Sequence, residues 1–196
     1  MAPVSDHPPL PPAWRVRHAR PSELRRLAAV EDSGGALFRA HLGEDLPAAL
    51  LAPAPSGLDR AALPGSVLVA VHGTDQEVVG FAHVVDHGHE EPGAVHLAQL
   101  SVLPSHGRRG IGTALVRAAE EEARWSGAGL MTLTTYRDLP WNGPLYARLG
   151  YAEQARPPAY VARALAAERA AGLERGGAVA AGPRVAMSRR LGRRGA

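Results

Sequence analysis

A glycine-rich basic turn between a strand and a helix constrains the fold of this chain more than any other feature. Residues 100–103 read as the end of a strand, Pro-Ser-His-Gly-Arg-Arg-Gly follows, and a helix begins at residue 110. The first amides of a helix have no intrahelical partner and carry partial positive charge. Gly110 and Gly112 have no side chains to block a phosphate, and Arg108 and Arg109 add charge. The turn therefore predicts a pyrophosphate cradle.

Two other phosphate-binding loops differ from this turn. The dinucleotide-binding loop needs Gly-x-Gly-x-x-Gly, and Leu115 stands where the third glycine belongs. The Walker loop needs Gly-Lys-Ser/Thr, and the chain has no lysine. A purely structural explanation, in which the glycine-rich turn only starts the helix and binds no phosphate, stays open.

Composition narrows the class of protein. The 196 residues are 45% hydrophobic and 5% aromatic, so Ala, Leu and Val must fill most of one core. The absence of cysteine excludes disulfides and thiolate chemistry and fits a cytoplasmic location. The net charge of the chain is +3, and its C-terminal arginines read as a solvated tail. No apolar run is long enough to span a membrane. We expect no nucleic-acid or membrane partner and leave a homodimer open.

The predicted organisation is a proline-rich leader (residues 1–12), one domain (residues 13–192) and a basic tail (residues 193–196). A meander followed by strand–helix–strand crossovers predicts an α/β chain with a mixed, mostly antiparallel sheet and helices on both faces. The predicted strands span residues 14–18, 66–72, 78–86, 94–103, 130–135, 151–153 and 184–190. The predicted helices span residues 21–32, 36–42, 46–51, 110–126, 141–149 and 159–173, and residues 52–64 read as a loop.

The helix after the basic turn has an amphipathic pattern. We expect Glu120, Glu121 and Arg124 to face water. The apolar stripe comprises Ile111, Ala114, Leu115, Ala118 and Ala119.

The basic turn resembles the acetyl-CoA signature of the GNAT superfamily of N-acetyltransferases, Gln/Arg-x-x-Gly-x-Gly/Ala. Gly110 and Gly112 match its two glycines, whereas Gly107 stands where Gln or Arg is usual and Arg108 follows one residue later. The resemblance implies the GNAT acyltransferase fold, with acetyl-CoA as co-substrate and no metal.

A second segment, residues 140–151, resembles the GNAT segment in which an asparagine precedes a tyrosine and a Gly-Phe/Tyr pair. In that family the asparagine amide bonds to the cofactor arm and the tyrosine hydroxyl lies near the thioester sulfur. The resemblance implies these roles for Asn142 and Tyr146, while packing in the core is the other explanation for Tyr146.

In GNAT proteins the strand at residues 98–102 separates from the strand at residues 130–134, and the pantetheine arm pairs with the free backbone. The cofactor-binding residues that the resemblance implies are Leu100, Ser101, Val102, Leu103, Arg108, Arg109, Gly110, Ile111, Gly112, Thr113, Asn142 and Tyr146.

The resemblance implies direct attack of a small-molecule primary amine on the thioester of acetyl-CoA. The expected proton donor is Tyr146, and the expected oxyanion donor is a backbone amide near Val102. A protein or peptide N-acetyltransferase and a non-catalytic acyl-CoA-binding module stay open. The acceptor site is expected within residues 31–51 and 156–184, where Glu31, Asp32, Glu44 and Asp45 could attract a cation.

An alkylammonium must lose a proton before it attacks, because its pKa is about 10. The GNAT resemblance implies a base on the strand before the turn, where many members of the family have a glutamate. Strand alternation places His96 and Ala98 on one face and Gln99 on the other, so His96 is the first candidate base. Glu31 competes for the role, and a chain of waters is the third explanation.

A metal is not expected. His83, His87 and His89 lie near Glu90 and Glu91, but no spacing matches a zinc motif, so residues 87–91 read as a solvated hairpin.

Overall fold

A computed structural model describes residues 14–74 and 76–192. The predicted leader over residues 1–12 and tail over residues 193–196 lie outside the described residues, as does Asp75 of the predicted turn. The strands are β1 Trp14–His18, β2 Gly65–His72, β3 Glu77–Asp86, β4 Ala94–Val102, β5 Leu130–Tyr136, β6 Ala152–Glu153 and β7 Arg184–Arg190. The α-helices are α1 Leu27–Asp32, α2 Gly35–Leu42, α3 Gly57–Ala61, α4 Ile111–Trp125, α5 Gly143–Arg148 and α6 Ala159–Ala170.

The seven described strands form one sheet in the order β1-β2-β3-β4-β5-β7-β6. Every neighbouring pair is antiparallel except β4 and β5, which are parallel and joined by the α4 crossover. The predicted mixed, mostly antiparallel sheet with helices on both faces is confirmed.

Strand β2 shows why the sheet is covered on both sides. Val67, Val69 and Val71 pack with α1, whereas Leu68 and Ala70 point to the opposite face and pack with α4. A strand buried on both faces is apolar at consecutive positions rather than at alternate ones. The helices α1 and α4 therefore lie on opposite faces of the sheet.

The predicted loop over residues 52–64 is wrong in part, because it contains α3. Ser56 caps this helix by accepting a hydrogen bond from the Asp59 amide at 3.1 Å. Gly57 lies so close to α1's preceding turn that an added Cβ would be 2.1 Å from the Leu24 carbonyl oxygen. The predicted helix at residues 21–32 starts as a 3-10 turn, Pro21–Arg26, and the one at residues 46–51 is only the turn Ala48–Leu50.

The expectation that Glu120 faces water is also wrong, because its exposed fraction is 0%. Arg189 of β7 donates to both of its carboxylate oxygens at 2.7 Å, and Arg117 donates to one at 2.9 Å. A buried carboxylate is tolerated only where cations and hydrogen bonds compensate its charge. This ion pair joins α4 to the far half of the sheet.

Candidate active site

The sheet opens between β4 and β5. Their parallel pairing covers only three positions, ending with His96 opposite Thr132. Beyond that point β4 continues to Val102 with β3 as its partner, so its other edge faces an opening. Free backbone groups along such an edge can pair with a peptide-like ligand.

A β-bulge in β4 lies at the start of the opening. Val84 pairs with Leu97 but His83 pairs with Gln99, so Ala98 is the extra residue. Leu97 and Leu100 consequently both pack on the α4 side. The predicted face of Gln99 is wrong: the bulge turns Gln99 to the same face as His96, where its Nε2 donates to Ser101 Oγ at 2.9 Å.

A cleft of about 570 Å³ fills this opening. One wall comes from α1, α2 and residues 49–53, and the floor from residues 97–102 of β4 and 134–136 of β5. Trp141, Asn142 and Tyr146 close one side, and Glu168, Leu173 and Arg184 close the far end. Pockets of this size hold small ligands.

The basic turn leads from β4 into the N-terminus of α4. Gly110 caps the helix at φ +79°, and Arg108 also has a left-handed backbone at φ +57°. Intrahelical bonding begins with the Ala114 amide on the Gly110 carbonyl at 2.9 Å, which leaves the amides of residues 111–113 without intrahelical partners. Arg108 and Arg109 are exposed beside these amides, and free amides at a helix N-terminus can donate hydrogen bonds to an anion.

Gly112 keeps the first turn of α4 close to the free edge of β4. A Cβ added at Gly112 would contact Leu100 Cδ2 and Val102 Cγ2, each at 3.9 Å. A larger side chain there would therefore occupy the groove that leads from the cradle to the cleft.

Helix α5 places Tyr146 in the cleft wall. The helix starts at Gly143, where an added Cβ would be 2.1 Å from the Arg137 carbonyl oxygen, so only glycine fits. Tyr146 is 8% exposed, and its ring packs edge-on to Tyr151 with centroids 5.8 Å apart. Burial raises the pKa of Tyr146, so the hydroxyl is protonated at neutral pH and can donate a proton. Asn142, the residue before the helix, lines the same wall.

Glu31 lines the cleft at the end of α1. Its carboxylate accepts a hydrogen bond from Arg60 Nη2, and the Arg60 guanidinium lies over the Phe81 ring, 5.2 Å from its centroid. Burial raises the pKa of Glu31; Arg60 opposes this shift and neighbouring Asp32 adds to it. A carboxylate with a raised pKa is a stronger base than a solvated one.

His96 lies outside the residues that line the cleft. It is 9% exposed, its Nδ1 is 2.9 Å from Thr132 Oγ1, and Thr132 Oγ1 is 2.9 Å from the Tyr160 hydroxyl. Burial lowers the pKa of His96 to about 4. The imidazole is therefore neutral at neutral pH and held beneath α6 rather than beside Tyr146.

With this geometry described, comparison with known proteins is informative. The model of the Acetyltransferase (GNAT) family matches residues 38–151, more than half of the chain. The chain belongs to the GNAT family. It is an N-acetyltransferase whose co-substrate is acetyl-CoA, as the sequence predicted.

Solved structures of low identity share the GNAT fold. PaiA N-acetyltransferase from Thermoplasma acidophilum, in complex with coenzyme A, is 14% identical with a TM-score of 0.62, over 90% of this chain and 98% of that one. YncA from Salmonella typhimurium, with acetyl-CoA, is 19% identical with a TM-score of 0.60, over 94% and 97%. A GNAT acetyltransferase from Staphylococcus aureus is 12% identical with a TM-score of 0.60, over 92% and 100%.

The GNAT cleft contains an ion pair that sequence reasoning did not single out. Arg184 Nε and Nη2 donate to the two oxygens of Glu168 at 2.9 and 2.8 Å, and the guanidinium lies 4.7 Å from the Tyr136 ring centroid. The two residues come from α6 and β7, and no local pattern joins them. By contrast, Glu44 and Asp45, predicted beside the acceptor, are exposed and do not line the cleft.

The predicted solvated hairpin lies at the other end of β4. His87, His89 and Glu90 bring ligand atoms within 4.8 Å of one another. Glu90 accepts a hydrogen bond from Arg163, and the His87 ring stacks on Tyr160 with centroids 4.1 Å apart. The carboxylate is thus already neutralised, and the GNAT reaction uses no metal.

None of the described helices is both long and apolar enough to cross a bilayer.

Proposed function

We propose that this GNAT protein transfers the acetyl group of acetyl-CoA to a primary amine of a small molecule. The observation that carries the proposal is the cleft of about 570 Å³ at the β4–β5 opening. Helix α2 and residues 49–53 cover it from one side, and Leu173 and Arg184 close its far end. A cleft of this volume, lined on one side by α2 and residues 49–53, fits a small amine.

In this proposal acetyl-CoA binds along the edge of β4 and the start of α4. The amides of residues 111–113, with Arg108 and Arg109, hold the pyrophosphate. The pantetheine arm pairs with the free backbone of residues 100–103 and with the amide of Asn142. The thioester then lies beside Tyr146, the buried hydroxyl of the cleft wall.

Two proton transfers accompany the proposed reaction, one to Glu31 and one from Tyr146. Glu31 removes a proton from the ammonium, and the neutral nitrogen attacks the thioester carbonyl carbon. A backbone amide near Val102 donates to the oxyanion as the tetrahedral intermediate forms. The carbon–sulfur bond then breaks and Tyr146 gives its proton to the departing thiolate. The nitrogen loses its remaining extra proton to the Tyr146 phenolate through water, and Glu31 releases its proton to solvent, so the products are the amide, the free thiol and one proton. Positioning of the two substrates supplies the greater part of the acceleration.

His96, the first candidate from the sequence, has weaker support than Glu31. It does not line the cleft, and a base whose pKa is about 4 holds protons poorly at neutral pH. A water chain that ends at Glu31 needs no further residue. We therefore assign the role of general base to Glu31 and give His96 a structural role in the contact with α6.

The proposal is tested by an acceptor screen with acetyl-CoA and free thiol as the readout. The panel pairs small primary amines with peptides that carry the same amine at a lysine or an N-terminus. Turnover of the free amines alone supports the proposal. Preferential turnover of peptides would assign the protein to peptide N-acetyltransferases, and binding of acetyl-CoA without any turnover would assign it to acyl-CoA-binding modules.

A further inference from the structure

We infer that the acceptor is a primary amine with a single ammonium on an apolar, preferably aromatic, body. This inference rests on the proposed function, because it assigns the far half of the same cleft to the acceptor. Three features of that half support it. The first is a wall of apolar side chains, the second is the face of the sheet on which this wall lies, and the third is the set of ion pairs that the charged lining residues form.

The apolar wall is only partly buried. Leu37 and Leu51 are large hydrophobic residues, 39% and 37% exposed, and both line the cleft. Deeper in the cleft, Phe38 packs edge-on to Trp141 with ring centroids 5.9 Å apart, and both rings are partly exposed. Apolar side chains that converge on a cavity favour a ligand that covers them.

The wall comes from the acceptor's side of the sheet. In the proposed function the cofactor lies at the start of α4, and the side chains of α4 pack with Leu68 and Ala70. Leu37, Phe38 and Leu51 follow α1, which packs on the opposite face. The apolar wall therefore faces a molecule that enters from α1 and α2, which is the acceptor and not the acyl chain of the donor.

The charges around the cleft leave room for one ammonium. Asp32 lines the cleft. Its Oδ1 accepts a hydrogen bond from the Ala54 amide at 2.9 Å, and no Arg or His in the described part of the chain forms an ion pair with it. At the far end the only carboxylate among the described lining residues, Glu168, is neutralised by Arg184. A second ammonium, as in a polyamine, would meet Arg184 or Arg39 instead of an unpaired carboxylate.

The test measures kcat/KM for phenethylamine, ethylamine and spermidine with saturating acetyl-CoA. Wild-type protein should prefer phenethylamine to both other amines. Phe38→Ala and the surface change Leu51→Ser should each lower the phenethylamine-to-ethylamine ratio, by about tenfold for Phe38→Ala because a lost apolar contact is worth that much in specificity. The loss should appear in the KM for phenethylamine while the KM for acetyl-CoA stays unchanged. Leu58→Ala is the matched control, because Leu58 is 69% exposed on α3 and lies outside the cleft lining.

Four results would overturn the inference. A preference for spermidine, or an unchanged ratio in folded Phe38→Ala and Leu51→Ser proteins, would contradict it and leave the proposed function standing. Variants that change the KM for propionyl-CoA or butyryl-CoA rather than for the amine would assign the wall to the acyl chain. No turnover with any of the three amines would contradict the proposed function itself, and this inference with it.

Discussion

Arg60 of α3 and Glu31 of α1 form an ion pair at the edge of the cleft. Their side chains are 7% and 23% exposed, and Arg60 Nη2 donates to Glu31 Oε2. Burial raises the pKa of Glu31 while the guanidinium lowers it. The Arg60 guanidinium on the short helix α3 therefore opposes the effect of burial on the Glu31 carboxylate.

Replacing Arg60 with Met should move the acidic limb of kcat/KM to higher pH. The base acts when deprotonated, so activity rises as pH passes the pKa of Glu31. Loss of the guanidinium removes the charge that favours the carboxylate, so that pKa increases. Arg60→Lys keeps the charge and should shift the limb less. The measurement is kcat/KM as a function of pH. If the profiles of Arg60→Met and wild type coincide, Arg60 does not influence the pKa of the base.

Glu31→Gln and His96→Ala separate the two candidate bases. Glu31→Gln should lower kcat/KM by about 10²-fold or more and abolish the acidic limb, because an amide cannot accept the proton. His96→Ala should leave the limb in place, since the pKa of His96 is about 4 and its ring lies outside the cleft lining. The opposite pattern would return the role to His96, and a limb unchanged in both variants would leave only the water chain.

Tyr146→Phe keeps the ring in its contact with Tyr151 and removes the proton. We expect kcat to fall by about 10²-fold and acetyl-CoA affinity to change little, because the hydroxyl acts only as the carbon–sulfur bond breaks. Stopped-flow kinetics and calorimetry on the same preparation measure both quantities. Equal kcat values would leave Tyr146 as a core residue.

Gly112→Val tests the cradle and the groove beside it. The new side chain would fill the space near Leu100 and Val102, so acetyl-CoA affinity should fall by about tenfold or more, given overpacking costs of about 1–3 kcal/mol. Valine is a better helix former than glycine, so α4 should persist. Gly129→Val is the control, since an added Cβ there meets no atom within 4 Å. Calorimetry that gives one affinity for wild type and both variants would contradict the assignment of the cradle.

Local sequence patterns were sufficient for the order of the main elements and for the turn that leads from β4 into α4. Helix α4 is amphipathic over four turns and follows glycines that fix its start, so its position depends on neighbouring residues alone. The five-residue helix α3 was hidden by the prolines around it, although Ser56 and Asp59 form the Ser-x-x-Asp pattern of a helix start.

Long-range contacts account for what the sequence could not predict. Glu120 is buried because Arg189 reaches it from β7, and the face of Gln99 depends on a bulge set by pairing with β3. The Glu168–Arg184 pair likewise joins elements that meet only in the folded chain. To predict any of these features, one must already know which strands and helices are neighbours in the fold.

The most direct test of the account is the stoichiometry of a single turnover with excess protein, acetyl-CoA and phenethylamine. Quantitative mass spectrometry of the amide and a thiol assay follow the two products in the same sample. Direct transfer in the cleft predicts one N-acetylated amine for each free coenzyme A thiol, and no amide in the absence of protein. Thiol released without amide, or no thiol at all from bound acetyl-CoA, would contradict the account.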